Sequence, residues 1–270
     1  MPTIDSGRMR QSFLDRPGQE PVLWIHGAFA TRRWWKPLID LLPGRYRCLV
    51  PDLRGCGESE RADSVEAFDV QEQARDLWAF VDVLGLDDVH LVGHSYGAAI
   101  ALQMAVDRPG GVRTLSLIAP PSPDGVETPQ EGLLALERMR TDRALLARAL
   151  SSIMPARAPD VFFHSLVDDA LQQSPAAFTG PALGLSRWRV RHRLSALRLP
   201  VLLIWGDRDI IVERRDVTDL LLAIPGANNL EVLRGLGHSP HVEAPERVWQ
   251  VLEPFLSEDF DEFEDIRSRA

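Results

Sequence analysis

One serine in this sequence stands where a nucleophile would be exposed. Ser95 lies between Gly93 and Gly97, after the apolar run Val89–Val92 and before a stretch rich in alanine. A Gly-x-Ser-x-Gly turn between a buried strand and a helix strains the serine backbone and leaves its hydroxyl at the tip. The pattern predicts a strand, a tight turn and a helix from about Tyr96, with Ser95 as a nucleophile. An ordinary turn in which Ser95 caps the helix is the alternative.

A serine hydroxyl is a poor nucleophile at neutral pH, so Ser95 needs a base within hydrogen-bond reach. His238 is best placed of the seven histidines, because it follows the last predicted strand at the sheet edge that carries Ser95. His241, three positions later, is the rival. A histidine pair at this spacing also suggests a metal, but no third ligand accompanies it, so no metal is expected. Structural or remote positions are expected for His26, His90, His94, His164 and His192.

The base in turn needs a carboxylate that fixes its tautomer and stabilises the imidazolium formed during the reaction. The turn Gly206–Asp209 follows a predicted strand and supplies two candidates, Asp207 and Asp209. Either could instead belong to a turn that caps the next helix. The chain order is Ser, Asp, His, which is the order that accompanies this kind of serine turn.

Backbone N–H groups would stabilise the oxyanion that develops on an attacked carbonyl. The N–H of Tyr96 is one, because it directly follows the serine. The second is expected in the loop after an earlier strand, where Gly27 allows close approach and the N–H of Ala28 is our choice.

The elements that must position these groups alternate along the chain. Apolar runs predict strands at 21–25, 47–50, 89–92, 114–118, 201–205 and 230–233, with an edge strand at 8–14. Helices are predicted at 33–42, 70–84, 213–223 and 245–256. This alternation predicts an α/β fold with a mostly parallel sheet, helices on both faces and ligands beyond the carboxyl ends of the strands.

The alternation stops between residues 122 and 196. Segments 130–150 and 159–173 look helical and are broken by prolines. A helical block of this size between two strands predicts a cap over the carboxyl edge of the sheet, inserted after the sixth strand. The predicted domains are therefore a core of residues 1–121 and 197–270 and a cap of residues 122–196.

Composition restricts partners and location. A net charge of −9 and a pI near 5.3 argue against nucleic-acid binding. Cys48 and Cys56 are too few for a disulfide framework and fit no zinc spacing. The sequence shows neither a signal-peptide pattern nor about eighteen consecutive apolar residues, so we expect no membrane span and a cytoplasmic location. The charged tail, 257–270, is expected to be a frayed, solvated end.

With these motifs, the sequence resembles capped α/β-hydrolases of the esterase, cofactor-free haloperoxidase and C–C-bond hydrolase group. The matching stretches are 26–27, 52–59, 93–97, 206–209 and 237–246, spread over nearly all of the chain outside the cap. The resemblance implies that Asp209, the last residue of Gly-x-x-Asp, is the acid and that His238 of Gly-His-Ser is the base. It also implies a structural turn at 52–59, with no catalytic role for Asp52, and it implies no cofactor.

Two departures from the sequence patterns of related enzymes narrow the range of expected activities. Ser95 stands where haloalkane dehalogenases and epoxide hydrolases of this fold carry aspartate, which argues against both. The loop His26–Thr31 lacks the His-Gly-x-Gly-Pro-Gly pattern of many C–C-bond hydrolases, which lowers that interpretation without removing it. The leading hypothesis is an ester-type hydrolase that works through an acyl-enzyme. The alternatives are a C–C-bond hydrolase or lactonase on the same residues, and a low-turnover ligand-binding protein.

The substrate is less well defined. The cap is rich in leucine and alanine and contains Phe162, Phe163 and Phe178, which favours a small molecule with an apolar portion. The same side chains could simply pack the cap onto the core. Arg32 and Arg33 could meet a substrate carboxylate, but a solvated helix start is the more ordinary role.

Overall fold

The computed structural model describes residues 1–258, without the side chain of Asn228. The predicted solvated tail lies outside the described residues from position 259 onward. Within them, eight strands form one sheet: β1 (Thr3–Asp5), β2 (Arg10–Arg16), β3 (Glu20–Ile25), β4 (Tyr46–Pro51), β5 (Val89–His94), β6 (Val112–Ile118), β7 (Val201–Gly206) and β8 (Ala227–Leu233).

The strand order across the sheet is β1-β2-β4-β3-β5-β6-β7-β8. β1 and β2 are antiparallel to their neighbours, whereas β4, β3, β5, β6, β7 and β8 run parallel. Every residue of β5 and β7 is buried, as expected for parallel strands that helices cover on both faces. The predicted mostly parallel α/β sheet is confirmed. β1 was not predicted, because three residues are too few for a periodic signal.

The sheet separates two helical layers. The helices of these layers are α1 (Lys36–Ile39), α2 (Val70–Val83), α3 (Tyr96–Asp107), α9 (Arg214–Ala223), α10 (Pro240–Glu243) and α11 (Pro245–Ser257). Val22 and Trp24 of β3 share an apolar cluster with α1 and α11. Leu23 and Ile25 share another with α2, α3 and α9, because successive strand residues point to opposite faces.

A helical segment connects β6 to β7, the sixth and seventh strands. It contains α4 (Gln130–Met139), α5 (Arg143–Ser152), α6 (Val161–Leu171), α7 (Gly180–Arg187) and α8 (Arg191–Leu194). The single helix suggested for 130–150 is two helices, because the Asp142 side chain accepts a hydrogen bond from the Leu145 N–H (2.8 Å) and starts α5.

Two other predicted elements differ in the structure. The helix predicted at 33–42 is a 3₁₀ turn, Arg32–Trp35, followed by the short α1. β5 continues two residues beyond its predicted end, to His94, so that the strand carries the chain directly to Ser95.

No helix within residues 1–258 has the length and hydropathy needed to cross a bilayer.

Candidate active site

Ser95 lies at the junction of β5 and α3, in a backbone conformation that side-chain-bearing residues rarely adopt. Its φ is 54° and its ψ is −119°. The Ser95 N–H donates to the Ile118 carbonyl of β6 (2.9 Å), and the Ser95 carbonyl accepts from the Ala98 N–H (2.8 Å). The neighbouring strand and the first turn of α3 therefore hold the predicted strained conformation in place.

The two glycines of the turn are required by close contacts. A Cβ at Gly97 would overlap the carbonyl oxygen of Ile25, at the end of β3. A Cβ at Gly93 would overlap the carbonyl oxygen of Gly97 and lie 2.8 Å from the Ala98 Cα. Neither glycine has a positive φ, so their role is to let α3 lie tightly against β3 and β5.

Three side chains from distant parts of the chain meet at this turn. The Ser95 Oγ lies 2.8 Å from His238 Nε2, and His238 Nδ1 lies 2.8 Å from Asp209 Oδ2. A carboxylate only accepts hydrogen bonds, so the proton of a neutral His238 is on Nδ1 and Nε2 is free to accept from the serine hydroxyl. This arrangement allows the imidazole to take the serine proton.

The turn after β7 distinguishes the two candidate aspartates. The Asp209 side chain has no solvent exposure, and its Oδ1 accepts from the N–H groups of Ile211 (2.7 Å) and Val212 (3.0 Å). Asp207 is exposed and accepts from the Gly235 N–H. The two isoleucines that follow Asp209 do not shield its carboxylate from water, because Ile210 is 66% and Ile211 58% exposed, whereas Val212 is buried. Two backbone N–H groups hold the carboxylate instead.

The loop that carries His238 is anchored from two sides. The His238 N–H donates to the Ile153 carbonyl, just after α5 (2.9 Å), and His94 Nε2–H donates to the His238 carbonyl (2.9 Å). Burial, with His241 and His238 nearby, holds the pKa of His94 well below its usual value, so His94 is neutral. The structural support predicted for His94 is thus a tether between β5 and the histidine loop.

The rival base does not reach the serine. His241 is buried, with ring centroids 4.5 Å from Trp35 and 4.3 Å from His94. Burial and the neighbouring His238 lower the pKa of His241 to about 3. It is therefore a neutral packing group. Of the remaining histidines, His90 contacts Thr114 (2.8 Å), and His164 and His192 are exposed in the segment between β6 and β7.

The Gly27–Thr31 loop lies against the serine turn. A Cβ at Gly27 would lie 3.2 Å from the Ser95 Cβ and 2.9 Å from His94 Nδ1, so only glycine allows this approach. His26 Nε2 accepts from the Leu53 N–H (3.0 Å), which leaves Nδ1–H to donate to the Gly27 carbonyl (2.9 Å). Within residues 1–258, neither the Ala28 N–H nor the Tyr96 N–H donates to a protein acceptor.

The turn at 52–59 is structural, as the resemblance implied. The fully buried Asp52 accepts from the backbone N–H groups of Arg32 (2.8 Å) and Glu58 (3.1 Å) and pairs with the Arg32 guanidinium. The expectation of a solvated Arg32 is therefore wrong, because its charge is matched by Asp52 and Glu58. Arg33 pairs with Asp169 of α6 (2.8 Å).

The profile of the alpha/beta hydrolase family matches residues 22–251. The chain belongs to this family. The predicted resemblance, fold and hydrolase class are confirmed by this match.

The hydrolase is similar to monoacylglycerol lipase ABHD6 of Bos taurus, with 24% identity over 266 residues that cover 91% of this chain and 78% of the relative. The solved esterase of Thermogutta terrifontis with malate bound has a TM-score of 0.79 and 26% identity, covering 92% of this chain and 93% of that one. The bromoperoxidase of Bacillus anthracis shares the fold, with a TM-score of 0.84 and 20% identity, covering 95% of this chain and 99% of that one.

Several contacts at the hydrolase site had no signal in the sequence. The Ile153 carbonyl that anchors His238 is a backbone group, so its residue type carries no information. Phe163 lies in the apolar cluster in which α5 and α6 meet Ala30, Trp34 and Val242 from outside the helical segment, which supports the packing alternative for that residue. Phe178 meets the Phe29 ring edge-on, with centroids 5.6 Å apart, and so faces the Gly27–Thr31 loop.

Proposed function

We propose that this hydrolase cleaves carboxylic esters of small molecules through an acyl-enzyme, with Ser95 as nucleophile, His238 as base and Asp209 as acid. The observation that carries the proposal is the unbroken hydrogen-bond chain from Asp209 through His238 to Ser95, with 2.8 Å at both steps. The similar proteins named as a monoacylglycerol lipase and an esterase support the ester as the substrate bond.

In the proposed reaction, Ser95 Oγ attacks the ester carbonyl carbon while His238 Nε2 takes the hydroxyl proton. Asp209 offsets the charge of the imidazolium through its bond to Nδ1–H. Collapse of the tetrahedral intermediate breaks the carbon–oxygen bond to the alcohol, which leaves with the proton from His238. A water molecule, deprotonated by His238, then attacks the acyl carbon. The second tetrahedral intermediate collapses with cleavage of the bond to Ser95 Oγ, His238 returns the proton to that oxygen, and the carboxylic acid product leaves.

We assign the stabilisation of the substrate oxyanion to the backbone N–H groups of Ala28 and Tyr96. The approach of the Gly27–Thr31 loop to Ser95 supports this, and so does the lack of a protein acceptor for either N–H within residues 1–258. Such donors stabilise charge that develops only in the transition state, and losing one costs about 10²–10³ in kcat in another serine hydrolase.

Residues 122–196 are proposed as a cap and residues 1–121 and 197–270 as the core. The support is that α5 and α6 build an apolar cluster of their own, to which Ala30 and Trp34 of the core contribute. The Phe29–Phe178 ring contact lies between the two parts and involves the loop that approaches Ser95 at Gly27, which favours a substrate with an apolar portion.

The test is Ser95→Ala with a nitrophenyl ester and a serine-directed phosphonate. We expect a product burst and labelling of Ser95 in the wild type, and a loss of kcat on the order of 10⁶ in a folded Ser95→Ala variant. Labelling at another residue, or substantial activity without Ser95, would refute the proposal.

A slow wild type with no burst would indicate a ligand-binding protein. Turnover of lactones alone would indicate a lactonase, and turnover of ring-cleavage dienoates alone would indicate a C–C-bond hydrolase.

A further inference from the structure

The Gly27–Thr31 loop contains a residue in an unfavourable backbone conformation. Phe29 has a φ of 60°, in the left-handed region that bulky side chains avoid. Such a conformation persists only where the surrounding structure over-determines it. The contacts that hold this loop are therefore part of the site, because Ala28 precedes Phe29 directly.

One of these contacts comes from Gln173, two residues beyond the end of α6. Its side chain is 4% exposed, and its Nε2 donates to the Ala30 carbonyl (3.2 Å). Gln173 is itself anchored to the core: its carbonyl accepts from Arg61 (3.0 Å), and the next residue, Ser174, donates through its N–H to the Gly55 carbonyl (2.8 Å). The amide thus reaches the loop from a fixed position.

A second contact comes from Asp169, within α6. Its Oδ2 pairs with Arg33 Nε (2.8 Å) and accepts from the Thr31 hydroxyl (3.3 Å). The side chain is only 23% exposed, and this partial burial raises the pKa of Asp169 while Arg33 and Thr31 oppose the shift. One carboxylate therefore binds both the last residue of the loop and the start of the following turn.

Apolar contacts reinforce the same junction. Ala30 and Trp34 are buried in one cluster with Leu166, Val167 and Ala170 of α6. These contacts fix where α6 lies, whereas Gln173 and Asp169 hold individual polar groups of the loop.

We propose that Asp169 and Gln173 are positioning residues that hold the Gly27–Thr31 loop, and with it the Ala28 N–H, in the geometry that stabilises the oxyanion. The inference rests on the proposed acyl-enzyme mechanism. It means that the segment between β6 and β7 contributes to stabilising the transition state. An oxyanion donor acts mainly in the transition state, so a loosened loop lowers kcat and leaves KM nearly unchanged.

The variants come in matched pairs on the same stretch of chain. Gln173→Ala removes the bond to Ala30, and Gln172→Ala, at the exposed preceding residue, is its control. Asp169→Ala removes the carboxylate and with it the contacts to both Thr31 and Arg33. Its control is Asp168→Ala, because Asp168 is 58% exposed and pairs only with Arg143 among the described ion pairs. Asp169→Asn keeps an acceptor for Thr31 and should restore part of the activity.

We expect Gln173→Ala and Asp169→Ala to lower kcat for a nitrophenyl ester by about tenfold to a hundredfold, since a displacement of about 1 Å can cost 10² in rate. KM should change by less than about twofold, and both controls should match the wild type. The rate at which the phosphonate modifies Ser95 should fall in parallel, because the phosphoryl oxygen carries negative charge in the pentacoordinate transition state of that step and needs the same N–H donors.

Two results would overturn the proposal: unchanged kcat in both variants, or a loss shared by the controls. If Asp169→Ala does not fold, Thr31→Val serves instead, because it keeps the side-chain shape and removes only the hydroxyl. A kcat equal to the wild type in folded Thr31→Val and Gln173→Ala then overturns it equally. Phosphonate labelling of Ser95 in the wild type tests the acyl-enzyme mechanism separately. Its absence would contradict the mechanism, whereas normal labelling with unchanged variants would contradict only the positioning role.

Discussion

At the scale of single residues, Asp207 and Asp209 differ in what surrounds them. Both follow β7 within three residues, yet only the Asp209 carboxylate reaches His238, and only its side chain is withdrawn from solvent. A buried carboxylate holds one imidazole tautomer and offsets the imidazolium charge more effectively than a solvated one, because water screens the interaction less.

Asp209→Asn should therefore lower kcat by roughly 10⁴, as the same change does in another triad, because the amide offers no charge and permits the wrong tautomer. Asp207→Asn should change kcat little, since an amide oxygen can still accept from the Gly235 N–H. The measurement is kcat for the two variants side by side. A larger loss at Asp207 would reverse the assignment.

At the scale of elements, the β5–turn–α3 unit depends on how closely backbones approach. α3 begins directly at the serine turn, and the absence of a side chain at Gly97 lets it lie against the end of β3. The close approach explains why small residues continue into α3 with Ala98, Ala99 and Ala101, all of them buried.

Gly97→Ala should lower the free energy of unfolding by more than about 2 kcal/mol, because its Cβ would overlap backbone that cannot move aside without shifting β3. Gly110→Ala is the matched control: a Cβ there meets no atom within 4 Å, so stability should change by less than about 1 kcal/mol. Urea unfolding of both variants checks this. Equal stabilities would show that the contact is easily relieved.

At the scale of the whole molecule, four buried histidines link stability to pH. Burial lowers the pKa values of His26, His90, His94 and His241, that of His90 to about 4 and that of His241 to about 3. As pH falls below the ordinary value of 6.5, the unfolded chain takes up protons that the folded chain does not. Each of these histidines thus contributes stability above pH 6.5 that is lost on acidification towards the folded-state pKa.

We therefore expect the free energy of unfolding to fall from pH 6.5 towards pH 3, with a slope of up to about 1.4 kcal/mol per pH unit from each such histidine. His241→Phe keeps an aromatic ring beside Trp35 and removes one titrating group, so its slope should be shallower by about that amount. Urea midpoints at several pH values provide the test, and identical slopes would contradict it.

Local patterns in the sequence determined much of the fold. Strand-length apolar runs identified six strands of the parallel sheet, and a run of small residues identified the turn at Ser95, because burial and backbone freedom are properties of neighbouring residues. The division of 130–150 into two helices was missed, since the N-cap at Asp142 is a weak local signal beside a continuous helical pattern.

The choice of partners was decided by the tertiary structure. Position along the chain did not distinguish Asp207 from Asp209, or His241 from His238. The resemblance to a family was needed to choose within each pair. The hydrogen bond from His238 to Ser95 joins residues 143 positions apart, and the one from Gln173 to Ala30 spans 143 as well. Such contacts depend on strand register and on the paths of loops over the sheet edge, which no short stretch of sequence specifies.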